Sequence, residues 1–413
     1  MRTMKVRMKM MVMTMAGLAG CAVVSSQVVV EADLLYRMTG DLKPLKNGVV
    51  VCSAAGKITA VGRQGEVTYP PGHRVLKAAV AMPGVIDAYA TVGLSGILNS
   101  DKHDQEQSDR SAPIQPELRA VDAYNGRDPL VKWLRDLGVT TVHTGHAPGA
   151  LVAGQTMVIK TDVASIVKDD DPMRPFSMVV ATFGKGGWGG GGDKKGPGTR
   201  AKAVALLRGE LLKARERLRK LDEKEGEAPV PDLRLDTLVA VLRKEVPLLV
   251  NAHRHQDISA ALRLREEFDI NLVLSGAAEA HVLLDEIRAA GVPVIVHPTM
   301  ARPYGDLENV SFTTAAKLHA AGIPFAFQSG YESYVPKTRV VLFEAALAAA
   351  YGLPHEAALA GCTVNAAKLL GIGARVGSLQ TGHDADLALF DGDPLETVTH
   401  CVGVVIDGKV VSD

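Results

Sequence analysis

Between residues 248 and 327 short, nearly unbroken aliphatic runs alternate with stretches whose apolar positions recur every three to four residues. The runs predict strands over 248–252, 271–274, 292–296 and 324–327, and the periodic stretches predict helices over 258–268, 282–290 and 315–321. Strands that are aliphatic at every position, without inside-outside alternation, belong to a parallel sheet covered on both faces. Similar runs at 139–142 and 178–183 extend the pattern. So does the stretch 81–90, which enters through the turn-forming Pro83-Gly84 and carries a single acid, Asp87, near its end. So many β/α units point to an α/β fold of the TIM-like (β/α)8 type, with a doubly wound open sheet as the alternative because periodicity does not report closure.

The two ends of the chain have a different texture. Residues 28–80 contain short β-rich runs, including 49–52 and 58–61 on either side of Gly56-Lys57. The far end repeats this with 385–390, 402–406 and 409–411, the last two separated by Asp407-Gly408, a pair suited to a hairpin turn of positive φ. Segments 28–80 and 376–413 are therefore expected to form one small composite β-sandwich beside a barrel of residues 81–375. The barrel is interrupted at 184–226, where GKGGWGGGGDKKGPG precedes a charged amphipathic helix over 199–224. Gly184, Gly186 and Gly189 satisfy a formal G-x-G-x-x-G, but in so glycine-rich a run this reads as a loop and not a phosphate cradle.

Composition narrows the partners. The 413 residues carry 46 basic and 46 acidic side chains and only 4% aromatics, which excludes a nucleic-acid surface. Residues 1–20 read as a signal peptide: Arg2, Lys5, Arg7 and Lys9 precede a short apolar core. Leu18-Ala19-Gly20-Cys21 resembles the lipobox of bacterial lipoproteins, which implies lipidation at Cys21 and an exported protein anchored on the periplasmic side of a cell envelope. The other thiols, Cys52, Cys362 and Cys401, lack metal-type spacing.

The stretch AMPGVIDAYATVG resembles the first barrel strand of the amidohydrolase superfamily, in particular its imidazolonepropionase-like branch, where Pro-Gly-Leu/Val-Ile-Asp-x-His-x-His carries two metal ligands. Val376 to Pro394, VGSLQTGHDADLALFDGDP, is similar to the closing signature of the same family. The resemblance implies a hydrolase of non-peptide C–N bonds in cyclic amides or imides, dependent on zinc or another divalent metal. Carried over by position, the ligands fall on Tyr89, Thr91, His253, Ser275 and Gly330, of which only His253 is a ligand type. A catalytic zinc takes three protein ligands, and without it the pKa of the attacking water returns from about 7 to about 15.7. No metal or other cofactor is therefore expected, and no catalytic residue is assigned. His143 and His146 end a strand, and whether they face His253 to rebuild a site depends on barrel register. His253, His297, Arg302, Glu332, Lys337 and Arg339 fall at or after strand ends and are candidates for holding a small-molecule ligand at the barrel mouth. The alternative to a hydrolase is thus an inactive envelope lipoprotein that binds such a ligand.

Overall fold

The computed structural model describes residues 27–97, 104–163, 167–188, 196–223, 230–296, 303–331 and 338–413. Four strands open the chain: β1 (Val28–Leu35), β2 (Leu45–Cys52), β3 (Ile58–Arg63) and β4 (Arg74–Pro83). The barrel follows with β5 (Val85–Ala90), β6 (Val139–Gly145), β7 (Val152–Lys160) and β8 (Val179–Thr182). It continues through β9 (Leu248–Ala252), β10 (Leu272–Gly276), β11 (Val294–Val296) and β12 (Phe325–Phe327). The chain closes with β13 (Leu387–Phe390), β14 (Cys401–Ile406) and β15 (Lys409–Ser412).

Strands β5 to β12 pair in sequence order into one eight-stranded sheet. A parallel bridge between Ala90 and Gly330 joins its two ends, with Gly330 N donating to Tyr89 O at 3.0 Å. Asp87 reinforces this seam: its Oδ1 accepts from the backbone amides of Ser329 at 3.0 Å and Tyr89 at 3.2 Å. The barrel is TIM-like but not uniformly parallel, because β7 runs antiparallel to both β6 and β8. The connection 146–151 is too short for the helical crossover that a parallel return needs, so β6 and β7 form a hairpin.

Residues alternate between two layers. Val158, Val180, Leu249, Val273, Ile295 and Ala326 fill the barrel interior. Leu248, Val250, Leu272, Leu274, Val294, Phe325 and Phe327 pack outward against helix residues such as Ile258, Leu264, Ile287, Leu318 and Ala345. This double covering is why the strands read as unbroken aliphatic runs.

The terminal strands form one seven-stranded sheet in the order β15-β14-β13-β4-β1-β2-β3. Both ends of the chain contribute to it, as expected, and its two halves enclose one core in which Val30, Val50 and Ile58 meet Leu387, Leu389 and Val405. It curls on itself, so that the β2–β3 turn meets the far end through a Lys57–Asp384 bridge. Asp407 and Gly408 both take positive φ, 48° and 71°, in the turn before β15. Lys160, at the end of β7, enters this sheet from the barrel floor, with Nζ 2.9 Å from Asp384, 3.0 Å from Asp386 and 2.6 Å from Asp407.

Candidate functional site at the barrel mouth

Period-two alternation along the strands sets the mouth. One step above the apolar interior layer, Val180 gives way to Thr182, Leu249 to Asn251, Val273 to Ser275 and Ala326 to Gln328. These four side chains carry hydroxyl and amide groups and no formal charge. Gln328 Nε2 donates to Ser275 Oγ at 3.1 Å and to Ile295 O at 3.0 Å, so Ser275 is fixed from the strand two places along the sheet. His253 follows Asn251 and lies against the β10 turn, where Gly276 has φ 76° and a Cβ would sit 2.5 Å from His253 Cε1. Only glycine leaves that imidazole its place.

On the opposite wall, Tyr89 is 2% exposed and its hydroxyl donates to the His146 carbonyl oxygen. Its ring lies 5.7 Å from that of His143. His143 engages both ring nitrogens, Nδ1 with Ala88 O and Nε2 with Thr156 Oγ1, each at 2.6 Å. Burial pulls its pKa down to about 4, against the Ala88 carbonyl bond, so the ring is neutral. His146 is buried against Gly154, where a Cβ would sit 2.4 Å from its Cδ2. Burial lowers its pKa as well, opposed by the Glu106 carbonyl and Asp109. Thr91 is buried, and its carbonyl caps the turn through the amides of Leu94 and Ser95. Gly330 holds φ 66° to reach the seam, a conformation that glycine adopts freely and an aspartate only occasionally.

The positions to which the family resemblance assigns metal ligands thus hold three hydroxyl side chains, one glycine and one histidine. Among the described residues, no group of three or more His, Cys, Asp or Glu converges to hold a metal ion. Neutral hydroxyls are poor zinc ligands beside imidazole and carboxylate, and those of Tyr89 and Ser275 are already engaged in protein bonds, so the described residues do not fit that ion.

Of the ligand-binding candidates, His253 lines the mouth. Arg339 places Nε 3.7 Å from Glu344 Oε1, so its charge serves the buried carboxylate of the helix Val341–Ala350. His297, Arg302, Glu332 and Lys337 lie outside the described residues, as does Cys21. Asn251, Gln328 and Thr182 are additions from the structure. Strand alternation carried one step past Leu249, Ala326 and Val180 would have found them.

The Amidohydrolase family model matches residues 309–411. The solved structure of an amidohydrolase from Thermotoga maritima MSB8 superposes with a TM-score of 0.85 at 29% identity, covering 93% of this chain and 99% of that one. The chain belongs to the amidohydrolase superfamily. Amidohydrolase tasK of Hapsidospora irregularis is 27% identical over 360 residues, which are 80% of this chain and 36% of the relative. The chain therefore spans about a third of that curated relative's length. A zinc-bound adenosine deaminase from Xanthomonas campestris shares the fold, with a TM-score of 0.56 at 16% identity, covering 94% of this chain and 93% of that one.

Proposed function

We propose that this amidohydrolase barrel binds an uncharged amide- or imide-bearing ring at its mouth and does not work through metal-bound hydroxide. The observation that carries the reading is Tyr89: a buried phenol, tied to the His146 carbonyl, stands where the family's first ligand would be. The neutral ring of Thr182, Asn251, Ser275 and Gln328 supports the ligand class, because side-chain amides offer both a donor and an acceptor to a ring –CO–NH– unit. Hydrolysis of the same cyclic amides is the second reading, favoured by the names of the relatives.

Calorimetric titration with hydantoin and dihydrouracil, followed by chromatography of the mixture, separates the two. Saturable binding without product, weakened about tenfold by Asn251→Leu, is the expected outcome. Turnover supports the hydrolase, and the absence of binding contradicts both.

The same proposal includes export and a lipid anchor on Cys21, resting on the basic, apolar and Leu-Ala-Gly-Cys segments in order. Among the described residues no helix is long and apolar enough to cross a membrane. Cys21→Ser is then expected to leave a soluble or uncleaved protein in fractionation. Unchanged membrane retention of a correctly cleaved chain contradicts it.

A further inference from the structure

Residues 303–310, after β11, cross the loops that follow β8, β9 and β10. Asp306 Oδ2 accepts from Lys185 N at 2.8 Å in the loop after β8. Its Oδ1 meets Arg200 Nη2 at 3.4 Å and Arg254 Nε at 3.6 Å. Arg254, after β9, also donates to Glu308 Oε1 at 2.6 Å and to the Gly305 carbonyl at 2.8 Å. Asn309 Nδ2 donates to Glu279 Oε1 at 2.7 Å, in the loop after β10. The Asp306 carboxylate beds against Gly184, where a Cβ would lie 2.8 Å from its Oδ2.

None of residues 303–310 is buried, and the short 3-10 turn Gly305–Leu307 puts no side chain into the core. The segment is therefore attached by ionic and polar bonds, without the apolar anchor that makes detachment costly. Partly exposed ion pairs of this kind are weakened by salt.

We infer that residues 303–310 form an ion-latched strap that controls access to the barrel interior, with Asp306 and Arg254 as the latch. The inference is independent of whether the ligand is cleaved, because it concerns only the path to the inner face.

The test places a thiol under the strap as Ser275→Cys in a Cys401→Ser background. Maleimide labelling is followed by mass spectrometry, with the chain retaining Ser275 as reference. Ser275 is fully buried on that inner face. Asp306→Asn and Arg254→Gln are each expected to raise its labelling rate about tenfold. Added sodium chloride should accelerate labelling in the latched parent and much less in the variants. The buried native Cys362, on the helix side of the barrel, is the control and should stay unlabelled throughout. Unchanged labelling at position 275 in either variant, a parent indifferent to salt, or a rise shared by Cys362 would overturn the strap.

Discussion

Asp87 shows how one residue serves the barrel seam in place of the catalytic strand end its motif suggests. Burial pushes its carboxyl up to about 7, opposed by the Ser329 hydroxyl and the amides of Ser329 and Tyr89, and assisted by the charge of Glu344. The folded state thus binds this proton more tightly than the unfolded chain, whose value is 3.8. Its contribution to stability is complete below about pH 4 and is lost as pH rises to about 7, by at most roughly 4 kcal/mol. Asp87→Asn should flatten that decline in denaturant titrations compared at about pH 5 and about pH 8. An equal decline in the variant would place the proton elsewhere. Tyr89 and Gly330 follow the same logic of packing: each stands where the resemblance would put a ligand and closes the wall with its own backbone or hydroxyl.

At the scale of elements, the turn after β10 decides where His253 lies. Gly276→Ala combines a positive φ with a Cβ 2.5 Å from the imidazole, so it should cost about 2 kcal/mol or more and displace His253 from the mouth. Thermal melting together with the hydantoin titration checks both effects. A variant with unchanged melting and unchanged affinity would mean that His253 does not depend on this cradle.

The strands 248–252 and 324–327 were legible because double-sided burial leaves an aliphatic run, and β9 matches the first of them residue for residue. Helix 282–290 begins two residues late, since Ala280–Val282 forms a 3-10 turn before Leu284–Ala290. Strand β7 was not legible as part of the barrel, because Gly154, Gln155 and Thr156 break its run and nothing local reports direction. The site was legible only as positions where the family resemblance would put ligands. How the side chains there are held depends on contacts distant in sequence, such as Gln328 with Ser275 and Tyr89 with His146.

Over the whole molecule, the curled terminal sheet and the barrel are joined by a buried charge cluster. Burial alone would raise Asp384, but bonds from Lys57, Lys160 and Arg375 outweigh it and hold the carboxyl at about 2. That contribution is present above 3.8 and lost as pH falls toward 2, so acid should weaken the joint first from this side. Asp386, by contrast, is pushed up to about 6 by burial against the pull of the Lys160 charge. Lys160→Met should destabilise the protein by about 3–5 kcal/mol near neutral pH, because it leaves the Asp386 carboxylate buried without its cation. The loss should shrink in acid, where Asp386 takes up a proton. A loss that is independent of pH, measured by denaturant titration, would show that packing and not charge holds the two parts.

We propose that the amidohydrolase barrel persists while hydroxyl side chains, a glycine and a single histidine stand where the family resemblance places the metal centre. Elemental analysis of the purified protein, after growth with zinc, manganese and nickel supplied, decides between this arrangement and an intact metal centre. The expected result is far less than one metal ion per chain, unchanged in His253→Ala. About one ion per chain, lost in His253→Ala together with hydrolysis of a cyclic amide, would contradict the account.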